Sequence, residues 1–487
     1  MVIAKRKLWS QAALIAVLAS YFASIYNRPF IYGDAIWSNV IGKWMVMHRE
    51  IPHQDYWTWT AYGQAWTPQE WGFEVLLYAC NHWFGFLGVV VMMTIVSVLT
   101  WWICLRILEQ LNIKYPYLWV IIAAACSSAW DQLRAETFSY LFVAILMWMI
   151  VGAQQGHRKR LWVALPLEVL WVNIHGSFVY GIGIVLWFGI ASLIPSFKLH
   201  WIEHTKNKHT GYVLIATAIA MAVIALLNPQ TWHMYVFSFW LSFETHIAKY
   251  IMEWQPASVT EIPAAALLLE IGILSLLRIH QKKPVKLDVF VWVLGSIYLF
   301  LKAVRFGSYL IIFIPLALGP LETLEQSWIQ HLFRRAPAQL IAVLKVGLVL
   351  GCSILTIETA ASTHGTLSQN ASETVEPQRM IAVLQSIHRS HPNWRIWNSY
   401  TVGGAIEATG IPVSIDGRTE VYLADGIMKH YVSTMAARPG TLKWLNAEQV
   451  RIVCLKKDEP LSELLSENTS WLRVYRGKTY DLYERQA

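Results

Sequence analysis

Long apolar blocks alternate with short polar segments along the first three quarters of the chain. Most blocks run for roughly 17 to 25 residues, which is about what an α-helix needs to cross ~30 Å of hydrocarbon. The stretch around His175 fits either two crossings or one re-entrant hairpin, and both alternatives place the two chain ends on opposite sides. The pattern predicts about eleven spans, approximately at 8–26, 86–108, 115–130, 136–153, 160–174, 177–195, 211–227, 261–278, 287–302, 307–321 and 338–359.

The composition agrees with a chain that faces lipid. Of 487 residues, 55% are hydrophobic, only 14% are charged and 26 are tryptophan. Such a balance excludes an ordinary soluble protein. The five cysteines form no CxxC pair, so neither a disulfide framework nor a zinc site is predicted.

Lysine and arginine fall in alternate loops, and positive charge close to a span is retained on the cytoplasmic side. This distribution predicts a cytoplasmic N-terminus and explains the formal charge of +8 without nucleic-acid binding. The basic residues that would be cytoplasmic are Lys5, Arg6, Lys7, Arg158, Lys159, Arg160, Lys198, Lys206, Lys208, Arg278, Lys282, Lys283, Lys286, Arg334 and Arg335.

The chain changes character after about residue 360, where charged side chains become frequent. We therefore predict a transmembrane domain over 1–360 and a second domain over 361–487. In the second domain, predicted strands at 394–398, 412–415, 450–455, 471–476 and 479–484 alternate with helices, which favours a small α/β domain. With eleven spans before it, this domain would be extracytoplasmic.

Two outer segments, 27–85 and 228–260, are too long for simple turns, and long connections are usually functional. The first is rich in tryptophan, which is typical of chain lying along a membrane interface. It also holds Asp34, Asp55 and Glu70, and acids near a membrane are costly unless they are used or paired. Asp34 follows the first span by a few residues and is the best candidate for a general base.

The first outer loop, "GDAIWSNVIGKWMVMHREIPHQDYWTWT", leads through "PQEWGFEVLLYACNHWFG" into the second span. This arrangement resembles the GT-C superfamily of polytopic membrane glycosyltransferases, in which the first outer loop carries an essential acidic residue just after the first helix. Asp34 matches that position. Further patterns resemble bacterial members whose reaction is unassigned: "RAETFSYLFVAILMW", "LWVNIHGSFVYGIG", "LNPQTWHMY", "MEWQP" and "SIDGRTEVY".

Two departures limit the resemblance. Asp34 is followed by Ala35, whereas protein mannosyltransferases have an Asp-Glu pair in this loop, and the WWDYG signature of oligosaccharyltransferases is absent. Direct glycosylation of protein is therefore not implied, and the acceptor stays open among glycan, lipid and protein.

The resemblance implies transfer of a sugar from a polyprenyl-phosphate donor at the outer face of a bacterial cytoplasmic membrane. In an inverting displacement, Asp34 would accept the proton of the attacking hydroxyl. Arg305, Lys302 and Arg134 would bind the donor phosphate. Alternatively, Arg305 extends to the interface or pairs with Asp131 or Glu136. No cofactor beyond the lipid-linked sugar is expected, and no ligand spacing indicates a metal.

Six further residues are candidates for substrate binding: Asp55, Glu70, Asn173, His175, Asp416 and Arg418. His175 could instead cap a helix end in a tight turn. The motif with Asp416 and Arg418 follows a predicted strand, where ligand-contacting loops of α/β domains often lie, and would bind the acceptor or dock on the membrane domain.

Three other classes of function stay open. A transporter or flippase should show matched repeats or broken helices in corresponding places, and neither is evident. A ligase for a whole lipid-linked glycan would need the same base. A non-catalytic envelope-assembly protein would not need Asp34.

Overall fold

The structure is a computed structural model that describes residues 2–27, 33–113, 116–127, 131–199, 202–243, 247–258, 284–309, 377–423 and 426–486. The chain divides into two compact units. The first comprises 1–26, 90–240 and 251–361, and the second comprises 27–89, 241–250 and 362–487.

Apolar helices build the first unit. They are α1 (Val2–Tyr26), the second half of α3 (Trp71–Gln110), α4 (Pro116–Ser127), α5 (Glu136–Gln154), α6 (Ala164–Ile174), α7 (Phe178–Ala191), α8 (Lys208–Ile224), most of α9 (His233–Phe243) and α10 (Leu287–Lys302). A small sheet of β1 (Phe197–Lys198), β2 (Ile202–His204) and β3 (Val285–Lys286) joins them.

The helix boundaries follow local chemistry. The Asn207 side chain accepts a hydrogen bond from the Thr210 amide at 3.1 Å, which caps the start of α8. In α3, Gly85 has a φ of +64°, a conformation that glycine adopts readily, and the helix is broken there. The break lies directly before the predicted span at 86–108.

Three helices among the described residues are long and apolar enough to cross a membrane: Trp71–Gln110, Glu136–Gln154 and Lys208–Leu227. Ser10–Tyr26 and Phe178–Ala191 are shorter apolar helices. The predicted spans at 261–278 and 338–359, and most of 307–321, lie outside the described residues. The chain is thus a mostly helical, multi-pass membrane protein, whereas the number of about eleven spans is not confirmed.

The second unit contains the C-terminal sheet. Its strands are β4 (Arg395–Asn398), β5 (Val450–Lys456), β6 (Trp471–Arg476) and β7 (Tyr480–Arg485), in the order β4-β5-β7-β6. The β4–β5 pair is parallel, and the other two pairs are antiparallel. Helices accompany the sheet at 377–390 (α11), Gly403–Glu407 (α12), Thr419–Leu423 (α13), Ile427–Met435 (α14), Thr441–Ala447 (α15) and Pro460–Glu467 (α16).

One predicted strand has a different partner from the one expected. Residues 412–415 do not join the C-terminal sheet; instead Val413 forms a parallel bridge with Thr58 in the first outer loop. The Trp59 amide donates to the Val413 carbonyl at 2.9 Å, and the Val413 amide donates to the Trp57 carbonyl at 3.2 Å. The loop thus satisfies the backbone groups of this extended segment.

Several tryptophans of the first outer loop contribute to a hydrophobic core, which the sequence did not indicate. Trp37 and Trp66 are buried in one hydrophobic core with Trp397 and Tyr422 of the C-terminal segment. The loop, with its helix α2 (Asp34–His48), therefore folds as part of the second unit. The core explains the tryptophan content of the loop by burial of large rings.

Candidate active site

Asp34 begins α2 and is half-buried. A carboxylate in the first turn of a helix interacts favourably with the helix dipole. One of its oxygens, Oδ1, accepts a hydrogen bond from the Trp37 indole nitrogen at 3.3 Å. Asp34 thus retains some exposure while a neighbouring buried ring restrains its carboxylate.

The loop at Gly417 fits closely against this pair. A Cβ atom at Gly417 would lie 2.2 Å from Trp37 Nε1 and 3.2 Å from Asp34 Oδ1, so only glycine fits there. Tyr400 donates from its hydroxyl to the Gly417 carbonyl at 2.8 Å and contacts Thr419 Oγ1 at 2.6 Å. The C-terminal segment therefore packs directly against the candidate base.

The surroundings of Tyr400 shift the pKa of its hydroxyl. Desolvation raises the pKa of its hydroxyl, and the negative charge of Asp34 raises it further. Tyr400 is consequently a neutral hydrogen-bond donor beside the candidate base at physiological pH.

Behind this loop, Arg418 is completely buried. Its Nη2 lies 2.7 Å from Asp55 Oδ1 and also binds an oxygen of Asp416. The guanidinium carbon lies 4.9 Å from the ring centroids of both Trp57 and Trp66, which is within range of cation–π attraction. We call these five residues the Arg418 cluster.

Within the Arg418 cluster, the arginine favours the charged form of Asp416. Burial alone would raise the pKa of Asp416, but the charge and hydrogen bonds of Arg418 outweigh it, and the pKa is lowered. Asp55 also accepts from the Thr58 amide at 3.0 Å and from the Thr58 hydroxyl at 2.6 Å. The cluster is an internally compensated ionic site.

Three candidates for substrate binding meet in this cluster. Asp55, Asp416 and Arg418 are fully buried, and Arg418 binds both carboxylates. A substrate role for them stays a prediction, since in this structure their polar groups bind one another. Glu70 is half-buried and precedes α3, where its carbonyl accepts from the Glu74 amide at 2.9 Å.

The cationic candidates belong to the first unit, and two of them are paired with acids. Arg305, in the turn Val304–Phe306, places Nη2 3.0 Å from Glu136 Oε2 and its guanidinium carbon 4.5 Å from the ring centroid of Trp254. Arg134 places Nη1 2.5 Å from Glu253 Oε2. Of the pairings considered for Arg305, the one with Glu136 is present. Lys302 is exposed at the end of α10.

The pKa of Glu253 reflects its pairing with Arg134. Its burial would raise the pKa, but the charge and hydrogen bond of Arg134 lower it below the ordinary value. The two pairs together bring two cations and two anions into the site, so their formal charges cancel.

His175 lies beside these pairs in a buried network of hydroxyl groups. It ends α6 and places Nδ1 2.7 Å from Ser177 Oγ and 3.2 Å from Ser139 Oγ. Burial, together with the charges of Arg305 and Arg134, lowers the pKa of His175 to about 3. The ring is therefore neutral and adds no positive charge for a phosphate.

The remaining candidate, Asn173, has structural contacts. Its side-chain nitrogen donates to the Val169 carbonyl at 2.6 Å, and its oxygen accepts from Asn228 Nδ2 at 3.1 Å. Within the described ranges, no group of three or more His, Cys, Asp or Glu side chains is arranged to hold a metal ion.

Several residues of these sites escaped the sequence reasoning. Trp37, Tyr400 and Gly417 form the environment of Asp34, and Glu253 and Trp254 complete the arginine pairs. The motifs "MEWQP" and "SIDGRTEVY" contained Glu253, Trp254 and Gly417, but local sequence gave no signal of their distant partners.

Comparison with solved structures identifies the fold. ArnT from Cupriavidus metallidurans bound to undecaprenyl phosphate is 12% identical, with a TM-score of 0.52 over 99% of this chain and 98% of that chain. The archaeal oligosaccharyltransferase AglB from Archaeoglobus fulgidus, in complex with an inhibitory peptide and a dolichol-phosphate, is 11% identical, with a TM-score of 0.56 over 92% of this chain and 70% of that chain.

A third similar structure is the arabinofuranosyltransferase AftD from Mycobacteria, which is 12% identical and has a TM-score of 0.50 over 97% of this chain and 40% of that chain. All three are GT-C glycosyltransferases. No family model and no curated protein matches the chain. The resemblance drawn from the sequence is thus confirmed at the level of the fold.

The Arg418 cluster gives a stability prediction. Arg418→Ala would leave two buried carboxylates without their cation, and breaking a buried pair in this way typically costs about 3–5 kcal/mol. The matched control is Arg395→Ala in the same unit, whose exposed pair with Glu448 should contribute less than about 1 kcal/mol. Thermal unfolding of the purified variants measures both. Equal unfolding temperatures for the two variants would contradict the assignment.

Proposed function

We propose that the chain is a glycosyltransferase that moves a sugar from a polyprenyl-phosphate donor to an acceptor at the outer face of the cytoplasmic membrane. The main support is the GT-C fold, which covers nearly the whole chain and includes a relative bound to undecaprenyl phosphate. A half-exposed carboxylate, Asp34, at the position where the superfamily carries its essential acid, supports the same reaction.

The reaction would be a single displacement at the anomeric carbon. The acceptor hydroxyl attacks as the bond to the phosphate oxygen breaks, and polyprenyl phosphate leaves with the bonding electrons. Asp34 takes the proton of the hydroxyl, and the product has the opposite anomeric configuration. Trp37 and Gly417 restrain Asp34, so its carboxylate requires little reorganisation when the acceptor arrives.

In this proposal the donor phosphate binds the guanidinium groups of Arg305 and Arg134, with Lys302 nearby in sequence. Each arginine is already paired with a glutamate, so the phosphate must compete with Glu136 and Glu253. An arginine can bind the phosphodiester of the donor in a bidentate manner, and the phosphate gains a second negative charge as polyprenyl phosphate leaves. The glutamates would keep the buried arginines compensated before the donor binds.

The arginine pairs also support one alternative. If Glu136 and Glu253 are permanent partners, the pairs are structural and the chain serves envelope assembly without catalysis. The two functions differ in whether these pairs open for a phosphate.

The proposal includes a topology of about eleven spans, with the N-terminus cytoplasmic and residues 361–487 outside. A membrane-impermeant thiol reagent tests this with single cysteines at two exposed positions, Glu467→Cys and Lys159→Cys. In intact cells only the former should react above the wild-type background. Reaction at Lys159→Cys alone would contradict the topology.

Asp34→Asn should lower glycosyl transfer by about 10² or more, since the amide cannot accept the proton. Stability should change by less than about 1 kcal/mol, because only a charge–dipole interaction is lost. Turnover and thermal unfolding are measured together, with Asp458→Asn as an exposed control. Wild-type turnover in a folded Asp34→Asn variant would remove Asp34 from the mechanism.

Arg305→Lys and Glu136→Gln should shift donor affinity in opposite directions. Lysine loses the bidentate geometry and should raise the KM for the donor about tenfold, whereas glutamine removes the competing charge and should lower it. Initial rates against donor concentration give both values. If both variants weaken donor binding alike, the Arg305–Glu136 pair is structural and does not open for the donor phosphate.

A further inference from the structure

A cavity of about 620 Å³ lies in the first unit, near the C-terminal ends of α3 and α5. The last turns of α3, the second half of α5 and the 3-10 segment Arg158–Val163 line it. This volume is within the range of ~300–1,000 Å³ that is typical of small-molecule sites. The proposed glycosyl transfer uses no residue of this cavity.

One wall of the cavity carries positive charge. Arg160 lies over the Trp148 ring, 4.3 Å from its centroid, and donates from Nη1 to Gln110 Oε1 at 3.0 Å. No acidic partner of Arg160 occurs within the described part of the chain. Arg106, which is 44% exposed, pairs with Glu109 at 3.0 Å. The lining therefore holds two arginines and one glutamate, which leaves one positive charge in excess.

The other walls are apolar. Trp102, Ile103 and Ile145 line the cavity, and Trp102 is 36% exposed on the surface of the membrane-crossing helix α3. Tryptophan close to arginine at the end of a span is typical of the boundary between hydrocarbon and headgroups. A ligand that fits has an anionic group at one end and an apolar body at the other.

We propose that this cavity binds the headgroup of an anionic phospholipid, with the phosphodiester on Arg160 and Arg106 and the acyl chains along Trp102. Basic pockets between membrane-spanning helices bind acidic lipid headgroups in this way. The loop at 155–160 is on the side that the basic residues predict to be cytoplasmic. The site is thus separate from the donor site and does not depend on the proposed function.

The experiment uses the full-length protein, purified in detergent and stripped of lipid. Its unfolding temperature is measured against increasing phosphatidylglycerol, which gives an apparent Kd because ligand binding stabilises the folded state. Phosphatidylcholine tests the charge requirement. Glycerophosphoglycerol, which carries the same phosphodiester without acyl chains, separates a lipid ligand from a soluble one.

Arg160→Gln should raise the apparent Kd for phosphatidylglycerol about tenfold or more, because a charge-assisted hydrogen bond is lost. Lys159→Gln is the matched control, since it removes the same charge from the adjacent, exposed residue that does not line the cavity. Its apparent Kd should change less than about twofold. Arg106→Gln, at a more exposed position of the cavity, should also weaken binding. This second variant tests the site if Arg160→Gln does not fold.

Three outcomes would overturn the proposal. Equal weakening by Lys159→Gln and by the two cavity variants would show general surface attraction. Equal binding of phosphatidylcholine would show that a net negative charge on the lipid is not required. Binding of glycerophosphoglycerol as tightly as phosphatidylglycerol would show that the cavity takes a soluble phosphodiester.

Discussion

The burial of the Arg418 guanidinium is the constraint on which the second unit depends. A fully desolvated cation costs many kcal/mol unless acids and hydrogen bonds compensate it. Here the compensation comes from two parts of the chain far apart in sequence, because Asp55 belongs to the first outer loop and Asp416 to the C-terminal segment. Neither part folds around this charge without the other. The Trp37–Gly417 contact beside Asp34 is therefore a consequence of how the unit is assembled.

The first unit also has cations that acids compensate, in two separate arginine–glutamate pairs. Arg305 and Arg134 each have an acid close by, and the neutral His175 adds hydrogen bonds and no charge. Such pairs keep cations stable in a site of low polarity. In the proposed reaction, the phosphate gains its second negative charge only as polyprenyl phosphate leaves, so these arginines would bind the leaving group more strongly than the donor.

Local patterns predicted the features that depend on short stretches of chain. Apolar blocks predicted several helices of the first unit. Short strand-like segments predicted β4, β5, β6 and β7 to within a residue or two. The fold resemblance rested on motifs spread over the whole chain. Residues 412–415 were extended as predicted, but a strand pattern does not specify its partner, and the first outer loop supplied it.

The site was predictable only in part, for the same reason. The position of Asp34 after the first span is visible in the sequence, whereas its contact with Gly417 depends on folding across hundreds of residues. The tryptophans of the outer loop were interpreted as interfacial because composition does not distinguish a ring at a membrane from one in a core. Asp55, Asp416 and Arg418 had the residue types of a binding site, and only burial shows that they bind one another.

Inverting sugar transfer from a lipid-phosphate donor is the reaction that we propose for this chain. It is tested most directly by incubating the purified wild-type protein with a panel of polyprenyl-phosphate sugars and following released polyprenyl phosphate and the anomeric configuration of the product. We expect release from at least one donor, with inversion at the anomeric carbon. Retention of configuration would contradict the single displacement, and no release from any donor would contradict the enzymatic function.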